Sequence, residues 1–550
     1  MKISIAQLNY HIGNFTKNKE LICNAIREAR AEGSDLIIFS ELSVCGYPPL
    51  DLLDHKDFVM RCNDTVSEIA KECIGISALV GSPTLNKNPE GKKIYNSALL
   101  LSEGKVIFSA NKALLPTYDI FDEYRYFEPE KTFRLLSFMG KRIALTICED
   151  LWDEQPFENE FEKSRLYSFS PMDELIKFSP DLIINISASP FSYTRIEAKQ
   201  NIFINKAKKY RIPVISVNQT GANTELIFDG ASMIINREGE IIDQLPFFEE
   251  SIKTYLFEDI STVRPKSFET EKDVPSLIYK ALVSGIHDYF SKMNFKKAVI
   301  GLSGGIDSAV CLCLASEAIG NENVRALLLP SRYSSEHSVT DAVKLSDNLG
   351  TGYDIINIEK PFGAFEDILT TLFKGRERDV TEENIQARIR ATLLMAYSNK
   401  FGYILLNTSN KSEAAVGYGT LYGDMAGGLS LIGDVYKTDV YKLAGYINRN
   451  SKIIPQNIIT KPPSAELCPG QLDTDSLPEY NVLDSILYQY IELQKPVSAI
   501  ISSGFDIELV SKVVKMINSN EYKRYQAPPI LRISSKAFGA GRRMPLVAKY

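Results

Sequence analysis

The chain has few of the residues that build metal centres, disulfide frameworks or membrane spans. Four histidines in 550 residues, without metal-ligand spacing, argue against a histidine-based zinc site. The eight cysteines form no Cys-x-x-Cys pair, which predicts reduced thiols in a cytoplasmic protein. No apolar run reaches the length of a bilayer span, so we expect no membrane association. The net charge of −7 argues against nucleic acid as a partner.

What the chain does contain is typical of a large globular protein. Apolar residues make up 44% and charged residues 24%, and the length exceeds that of one ordinary domain. Apolar strand-like runs alternate with helical periodicity in both halves, which predicts an α/β protein. Prolines and acidic residues interrupt this periodicity near the middle. We therefore predict one domain over residues 1–255, a linker over 256–275 and a second domain over 276–550.

A glycine loop dominates the second half. The apolar run 298–300 precedes it and the helix-forming stretch 309–319 follows it, so the order is strand, loop, helix. The loop consists of Gly301, Leu302, Ser303, Gly304, Gly305, Ile306, Asp307 and Ser308. Glycines permit close backbone approach to an anion, and the amides at a helix start favour negative charge. The pattern predicts a phosphate site, although it lacks the Gly-Lys-Ser/Thr of a Walker loop.

Three residues of the first half form a candidate hydrolytic set. Glu41 follows the apolar run 36–39, Cys148 ends an apolar strand, and Lys112 lies in a mostly apolar stretch between them. Taken singly, a cysteine is usually a core residue and a lysine or glutamate a solvated charge. Together they supply a base for the thiol proton, a nucleophile for an amide and a cation for the oxyanion.

This set resembles the Glu–Lys–Cys triad of the nitrilase, or carbon–nitrogen hydrolase, superfamily over about residues 1–255. The resemblance implies an α-β-β-α sandwich in which Glu41 is the general base, Lys112 stabilises the oxyanion and Cys148 is the nucleophile. Glu123 matches a further carboxylate that positions the lysine. Ser40 stands where the family pattern has proline, a difference we expect to affect only backbone stiffness.

The glycine loop resembles the pyrophosphate loop of the ATP-pyrophosphatase superfamily, and residues 270–550 are similar to the NAD synthetase family. The resemblance rests on Asn384 and the stretches 408–413 and 420–424, in the expected order after the loop. It implies a doubly wound parallel sheet, with ATP as co-substrate bound by residues 301–308 and Thr408. It further implies Mg²⁺ at Asp307 and Glu413, and deamido-NAD contacts from Asn384, Glu413 and Lys536.

Together the halves resemble the glutamine-dependent members of the NAD synthetase family. That pairing implies that glutamine hydrolysis supplies ammonia, along an internal path, for amidation of deamido-NAD. Tyr118, Ser189 and Arg195 are then the implied glutamine contacts, and L-glutamine, ATP and deamido-NAD the small-molecule partners. The resemblance also implies a homo-oligomer, either a dimer or a larger symmetric assembly.

Three alternative interpretations remain. They are another adenylating amidotransferase acting on a different carboxylate or carbonyl, a nucleotide-sensing protein without activity, and a first half that is an independent amidase merely fused to the second. The basic carboxyl-terminal stretch has two interpretations, either a solvated tail or a clamp for pyrophosphates. Its basic residues are Arg532, Lys536, Arg542, Arg543 and Lys549.

Overall fold

The computed structural model describes residues 1–154, 156–158, 163–262 and 273–549. The chain forms two compact units, Met1–Glu271 and Lys272–Tyr550. The stretch that we expected to be a linker, residues 256–275, begins with a short helix over Phe257–Thr262. Within that stretch, residues 263–272 lie outside the described part of the chain.

The first unit is built from short strands and a few helices. Its strands are β1 (Lys2–Gln7), β2 (Leu36–Ile38), β3 (Ser77–Leu85), β4 (Ile94–Ser102), β5 (Lys105–Asn111), β6 (Leu136–Phe138), β7 (Lys141–Ile147), β8 (Pro156–Glu158), β9 (Lys163–Arg165), β10 (Leu182–Ser187), β11 (Val214–Asn218), β12 (Thr220–Asn223), β13 (Leu226–Asp229), β14 (Met233–Ile235), β15 (Ile241–Gln244) and β16 (Ser251–Leu256). Its helices are α1 (Phe15–Ala31), α2 (Lys56–Ala70), α3 (Glu123–Tyr126), α4 (Pro171–Leu175), α5 (Ile196–Tyr210) and α6 (Phe257–Thr262).

Two six-stranded mixed sheets pack face to face in this unit. The strand orders are β16-β1-β2-β3-β4-β5 and β15-β14-β11-β10-β7-β6. Residues of both inner faces, among them Ile5 and Ile38 from one sheet and Leu145 and Ile184 from the other, share one buried core. Helices α1 and α2 pack on the outer face of the first sheet, and α4 and α5 on that of the second. The expected α-β-β-α sandwich is present.

The second unit alternates strands and helices. Its strands are β17 (Ala298–Gly301), β18 (Val324–Leu328), β19 (Gly352–Ile355), β20 (Ile404–Asn407) and β21 (Leu429–Ser430). Its helices are α7 (Val274–Met293), α8 (Ile306–Ile319), α9 (Glu336–Leu349), α10 (Glu359–Leu369), α11 (Val380–Phe401), α12 (Lys411–Val416), α13 (Lys437–Ile447), α14 (Gln456–Thr460), α15 (Tyr480–Leu487), α16 (Val497–Ser502), α17 (Ile507–Ser519) and α18 (Glu521–Arg524).

The five strands of this unit form a parallel sheet in the order β19-β18-β17-β20-β21. The chain winds outward from β17 in one direction and then returns to add β20 on its other side. In open α/β sheets, ligands bind where the winding direction reverses, beyond the carboxyl ends of the strands. The glycine loop follows β17 and the stretch 408–413 follows β20, so both lie at this switch point. The doubly wound parallel sheet expected from the sequence is present.

Local boundaries differ from the expectations in two informative places. Helix α8 begins at Ile306, so residues 306–308 form its first turn instead of loop. The Glu and Arg residues at helical spacing over residues 379–390 predict a polar helix there, whereas α11 runs over Val380–Phe401, with Leu394 and Ser398 also buried. Among the helices of the described ranges, none combines the length and apolar character needed to cross a membrane.

Candidate active sites

Lys112 lies at the centre of the first site. Its side chain is fully buried directly after β5, where its Nζ lies 2.8 Å from Oε1 of Glu41 and 2.7 Å from Oε2 of Glu123. Burial lowers the pKa of Lys112, but the carboxylates of Glu123 and Glu41 hold it well above its usual value. The ammonium is therefore permanently charged in a dry environment. Such a group stabilises an oxyanion far more strongly than a solvated lysine does.

Glu41 is held by three donors of different origin, Lys112 and two others. Its Oε1 accepts hydrogen bonds from Lys112 and from Nδ2 of Asn96 at 2.7 Å, and its Oε2 accepts one from the amide of Ala188 at 3.0 Å. Asn96 comes from β4 and Ala188 from the end of β10. These contacts fix the carboxylate of the predicted base in one orientation. Our sequence reasoning missed both residues, because they are separated from Glu41 by 55 and 147 positions.

Cys148 begins the 3₁₀ turn that follows β7. Its backbone is in the left-handed region, with φ of 45°, and its carbonyl accepts a hydrogen bond from Nδ2 of Asn185 at 3.3 Å. A non-glycine residue in this conformation at the end of a strand is a common mark of a functional site. Burial raises the pKa of Cys148 well above its usual value, and the charge of Glu41 raises it further. The resting group is thus a thiol, which requires a neighbouring base to become a nucleophile.

The triad predicted from the sequence is therefore brought together within one buried network, although the roles of its members stay predictions. Glu123 joins them through Lys112 and also accepts a hydrogen bond from the hydroxyl of Tyr47 at 2.9 Å. Burial raises the pKa of Glu123 to about 7, while Lys112 lowers it. The carboxylate that we had matched only by loose spacing is thus a direct partner of the lysine.

Two of the three residues predicted to bind glutamine, Tyr118 and Arg195, interact with a carboxylate that we did not predict, that of Glu149. The hydroxyl of Tyr118 donates to the buried Glu149 at 2.9 Å, as does that of Tyr167. Arg195, exposed at the start of α5, acts on Glu149 through its positive charge, and burial raises the pKa of that carboxyl. Ser189 is partly buried, and its amide donates to Oδ1 of Asn218 at 2.9 Å. The position of Glu149 directly after Cys148 was the available signal.

The second site is a cavity of about 310 Å³ at the switch point of the parallel sheet. Seven of the eight residues of the glycine loop line it, together with Thr408 and Glu413. Gly304 instead packs against the first turn of α9, with φ of 82°, and a Cβ there would lie 2.3 Å from the carbonyl oxygen of Ser338. Gly305 is the N-cap of α8 and has no side chain to accept from the first-turn amides. The loop and helix therefore present amide donors at the cavity, as a phosphate requires.

Two carboxylates and a lysine converge on one side of this cavity. Nζ of Lys437 lies 2.5 Å from Oδ2 of Asp307 and 3.4 Å from Oε1 of Glu413. Nδ2 of Asn410 donates to the other oxygen of Asp307 at 2.9 Å. Burial and the charge of Asp307 raise the pKa of Glu413 to about 8. Both predicted metal ligands thus share one cation, Lys437, which our sequence reasoning did not identify.

Comparison with known proteins assigns the chain to a family. Residues 2–264 match the family model described as carbon-nitrogen hydrolase, and residues 278–527 match the one described as NAD synthase. The glutamine-dependent NAD(+) synthetase of Synechocystis sp. is 43% identical, with 100% of this chain and 99% of that protein covered. The chain belongs to the glutamine-dependent NAD(+) synthetases. The Thermotoga maritima member is 39% identical over 100% of this chain and 99% of its own length.

Solved structures of this family match the whole fold. The glutamine-dependent NAD+ synthetase of Acinetobacter baumannii, in complex with ADP, has a TM-score of 0.77 at 36% identity and covers 99% of this chain and 98% of its own. The Cytophaga hutchinsonii enzyme has a TM-score of 0.83 at 20% identity, covering 100% and 98%, which shows likeness of fold. Both domain types expected from the sequence are therefore confirmed.

The residues that family resemblance assigns to deamido-NAD occupy different settings. Glu413 lines the cavity. The side-chain oxygen of Asn384 accepts a hydrogen bond from the hydroxyl of Thr420 at 2.6 Å, which ties α11 to the glycine-rich stretch 417–428. The backbone carbonyl of Lys536 accepts one from Nζ of Lys411 at 3.0 Å. The three residues thus contact different parts of the second unit, and their common role stays a prediction.

Two basic residues of the carboxyl-terminal stretch are engaged within the protein. Arg532 is buried and donates to the carbonyls of Ser534 and Ser535. Arg542 pairs with Glu521 at 2.7 Å. These contacts indicate a structural role for both residues, so a pyrophosphate clamp, if formed, depends on the others in the stretch.

The donor set at the second site is chemically suited to Mg²⁺. This ion binds proteins through one or two carboxylates and completes its coordination with substrate phosphates and water. Asp307 and Glu413 are two such carboxylates beside a phosphate-type loop. Among the described residues, no group of three or more His, Cys, Asp or Glu side chains is arranged to hold a metal without other ligands. The residues present therefore fit an ion that arrives with its nucleotide.

The cysteines divide by exposure. Seven of the eight are buried, including Cys148, and Cys468 is partly exposed. Cys468 directly follows Leu467, which lines the cavity of the second unit. The prediction that most cysteines are small core residues holds for those outside the first site and this loop.

Proposed function

We propose that this chain makes NAD from deamido-NAD, ATP and L-glutamine, releasing AMP, pyrophosphate and glutamate. The first unit hydrolyses glutamine, and the second unit uses the ammonia. Membership of the family and the presence of both complete sites in one chain support this proposal. Action in the cytoplasm and assembly into a homo-oligomer stay predictions.

In the glutaminase step, Glu41 takes the proton of the Cys148 thiol as its sulfur attacks the side-chain amide of glutamine. The oxyanion that forms is stabilised by the ammonium of Lys112. Glu41 returns the proton to the leaving nitrogen, so ammonia departs uncharged and a thioester remains on Cys148. Water then attacks the thioester with Glu41 as base, releases glutamate and restores the thiol.

Recognition of glutamine requires a partner for each end of its zwitterion. Arg195 supplies a cation for the α-carboxylate, and Glu149 supplies a buried anion for the α-ammonium. The hydroxyls of Tyr118 and Tyr167 orient Glu149, and Ser189 supplies a further polar contact to glutamine. This set favours a free amino acid over a simple carboxamide, because a substrate without these charges leaves Glu149 without its ammonium partner.

In the synthetase step, the nicotinate carboxylate of deamido-NAD attacks the α-phosphorus of ATP and displaces pyrophosphate. Ammonia then attacks the resulting acyl-adenylate and displaces AMP. Residues 301–308 and Thr408 hold ATP, and Asn384, Glu413 and Lys536 contact deamido-NAD. Asp307 and Glu413 would hold Mg²⁺, which neutralises phosphate charge when bound.

The single observation that carries the proposal is the coexistence of the buried triad and the phosphate-type cavity in one chain. The test is Cys148→Ala, assayed for NAD formation with glutamine or ammonium as nitrogen donor. We expect glutamine-driven synthesis to fall by about 10³-fold or more, because the nucleophile is lost, and ammonium-driven synthesis to remain. If the wild type forms no NAD with either donor, the proposal is wrong. Glutamine hydrolysis that ignores ligands of the second unit would indicate a merely fused amidase.

A further inference from the structure

Asp150 makes a set of contacts that the mechanism above does not use. Its carboxylate is buried, with 3% exposure. Oδ1 accepts hydrogen bonds from the amides of Ala113 at 3.0 Å and Leu114 at 2.9 Å. Oδ2 accepts one from the amide of Ile147 at 3.0 Å. All three donors are backbone groups, so the contacts constrain the chain path and not merely a side chain.

These donors directly flank two members of the triad. Ala113 and Leu114 follow Lys112, and Ile147 precedes Cys148. Lys112 follows β5, which belongs to one sheet of the sandwich, and Cys148 follows β7, which belongs to the other. One carboxylate thus joins the backbones of two catalytic loops that originate from opposite sheets.

A small displacement between these loops has a large chemical consequence. The oxyanion forms on the carbon attacked by Cys148, and the lysine must meet it at hydrogen-bond distance. A misplacement of about 1 Å in such an arrangement can reduce a rate about 100-fold. Packing of apolar side chains alone defines positions less sharply than hydrogen bonds to charged acceptors.

We propose that Asp150 is a positioning residue that sets the distance between the nucleophile Cys148 and the oxyanion-stabilising Lys112. This inference rests on the proposed glutaminase function. The carboxylate acts through the backbone amides of Ala113, Leu114 and Ile147 and touches neither substrate nor thiol.

The cost of burying this carboxylate agrees with a functional reason for its presence. Burial raises the pKa of Asp150 to about 7, although three backbone amides and the charge of Lys112 lower it. A buried carboxylate with a pKa so far above its usual range is stabilised incompletely by its surroundings. Positions chosen for stability alone favour apolar residues, because they avoid this penalty.

The test compares Asp150→Asn with Asp153→Asn in the full-length protein. Asparagine keeps the size of the side chain, but its Nδ2, in place of one carboxylate oxygen, cannot accept from a backbone N–H, so one of the two loops is released. Asp153 is an equally buried carboxylate three residues later, paired with Lys206 at 2.6 Å and not with the triad loops. It controls for the loss of a buried charge.

For Asp150→Asn we expect kcat for glutamine hydrolysis to fall at least about tenfold, with KM for glutamine unchanged within about twofold. Ammonium-driven NAD synthesis should stay at the wild-type level. Asp153→Asn should keep the wild-type kcat, whatever its stability. If Asp150→Asn does not fold, Asp150→Glu keeps the charge but alters the loop spacing, and the same fall in kcat is expected.

Equal losses of kcat in the Asn variants at 150 and 153 would overturn the inference, because they would indicate a general effect of buried charge. An unchanged kcat in Asp150→Asn or in a folded Asp150→Glu would also overturn it. These outcomes are distinct from failure of the proposed function, in which the wild type itself would not hydrolyse glutamine.

Discussion

The two candidate active sites of this chain each hold one lysine between two carboxylates, but they differ in what surrounds that set. In the first unit, the ammonium of Lys112 pairs with two carboxylates, those of Glu41 and Glu123. Each of these carboxylates also accepts a hydrogen bond from another donor. In the second unit, Asp307 and Glu413 share Lys437 at the wall of a cavity. The first set is closed in by donors of the protein, whereas the second lines a cavity in which a ligand can reach its carboxylates and the amide donors of the glycine loop.

This difference follows from what each site has to bind. Hydrolysis of a carboxamide starts from an uncharged reacting group, so the site can be organised in advance and kept dry. Adenylation requires the binding of a nucleotide with several phosphate charges. If every polar group of the site were already paired within the protein, none would remain to bind these phosphates. An incomplete site of carboxylates and free amides suits a nucleotide that arrives with its cation.

The sharpest way to separate the sites is to disable the second while leaving the first. In Gly304→Ala, the new Cβ would lie 2.3 Å from the carbonyl of Ser338, so the phosphate loop must shift. We expect NAD formation to fall at least about 100-fold with either nitrogen donor, since positioning of the phosphates is lost. Glutamine hydrolysis by the first unit should persist. Steady-state NAD and glutamate assays measure both.

Gly402→Ala is the matched control for this change. Gly402 has φ of 70° at the end of α11, but a Cβ there would meet no described atom within 4 Å. Gly402→Ala therefore lowers the free energy of unfolding by about 1 kcal/mol through its backbone conformation, but it introduces no clash. Equal effects of the two substitutions on synthesis would show that backbone strain, and not loop geometry, is responsible.

A second prediction concerns the redundancy of charge around Lys112. Glu123→Gln removes one of the two carboxylates of the lysine while Glu41 remains. We expect kcat for glutamine-driven synthesis to fall about tenfold, because the ammonium is less well oriented toward the oxyanion, with ammonium-driven synthesis unaffected. Glu130→Gln is the control. The carboxylate of Glu130 accepts a hydrogen bond from Nδ2 of Asn111, next to Lys112, at 2.8 Å, and its backbone amide donates to the carbonyl of Lys112 at 3.0 Å, a bond that glutamine keeps. A fully active Glu123→Gln variant would show that Glu41 alone positions the lysine.

The smallest expected effect concerns the buried carboxyl group of Glu413 in the second site. The pKa of Glu413 is raised to about 8, so protonation favours the folded state. The stability from this group is present below its ordinary pKa of about 4.5 and is lost as pH rises to about 8. Glu413→Gln should therefore raise the Tm of the ligand-free protein at pH 8 by about 2–4 °C per kcal/mol gained.

The increase in Tm caused by Glu413→Gln should become smaller as the pH is lowered toward 5, where the wild-type carboxyl is protonated. Thermal unfolding across this range measures it. A variant that is less stable than the wild type at pH 8 would contradict the idea that this site sacrifices stability for binding.

Sequence reasoning identified groups that act through contiguous motifs or at strand ends. The glycine loop carries its mechanics within eight residues, and Cys148 and Glu41 each follow an apolar strand. Residues that complete a site through contacts distant in sequence were missed, among them Asn96 in the first site and Lys437 in the second. Their neighbours are decided by how strands and helices pack, which no local pattern encodes.

The boundaries of helices α8 and α11 also differ in whether local sequence or tertiary contacts decide them. The start of α8 differed from the expectation because Gly305 serves as its N-cap, so Ile306 is already helical. The extent of α11 differed because buried residues continue past residue 390, at Leu394 and Ser398. The start of α8 was missed at a local cap, whereas the end of α11 depends on tertiary contacts that the sequence does not display.

The exposure pattern of the cysteines makes the unmodified chain a natural substrate for site-selective labelling. Cys468 is the one thiol of the eight that is partly exposed, and it adjoins the wall of the cavity in the second unit. A thiol-reactive fluorophore should therefore attach there first and report on ligand binding in real time. The molecule thus offers a spectroscopic readout of its second site without removal of a single native residue.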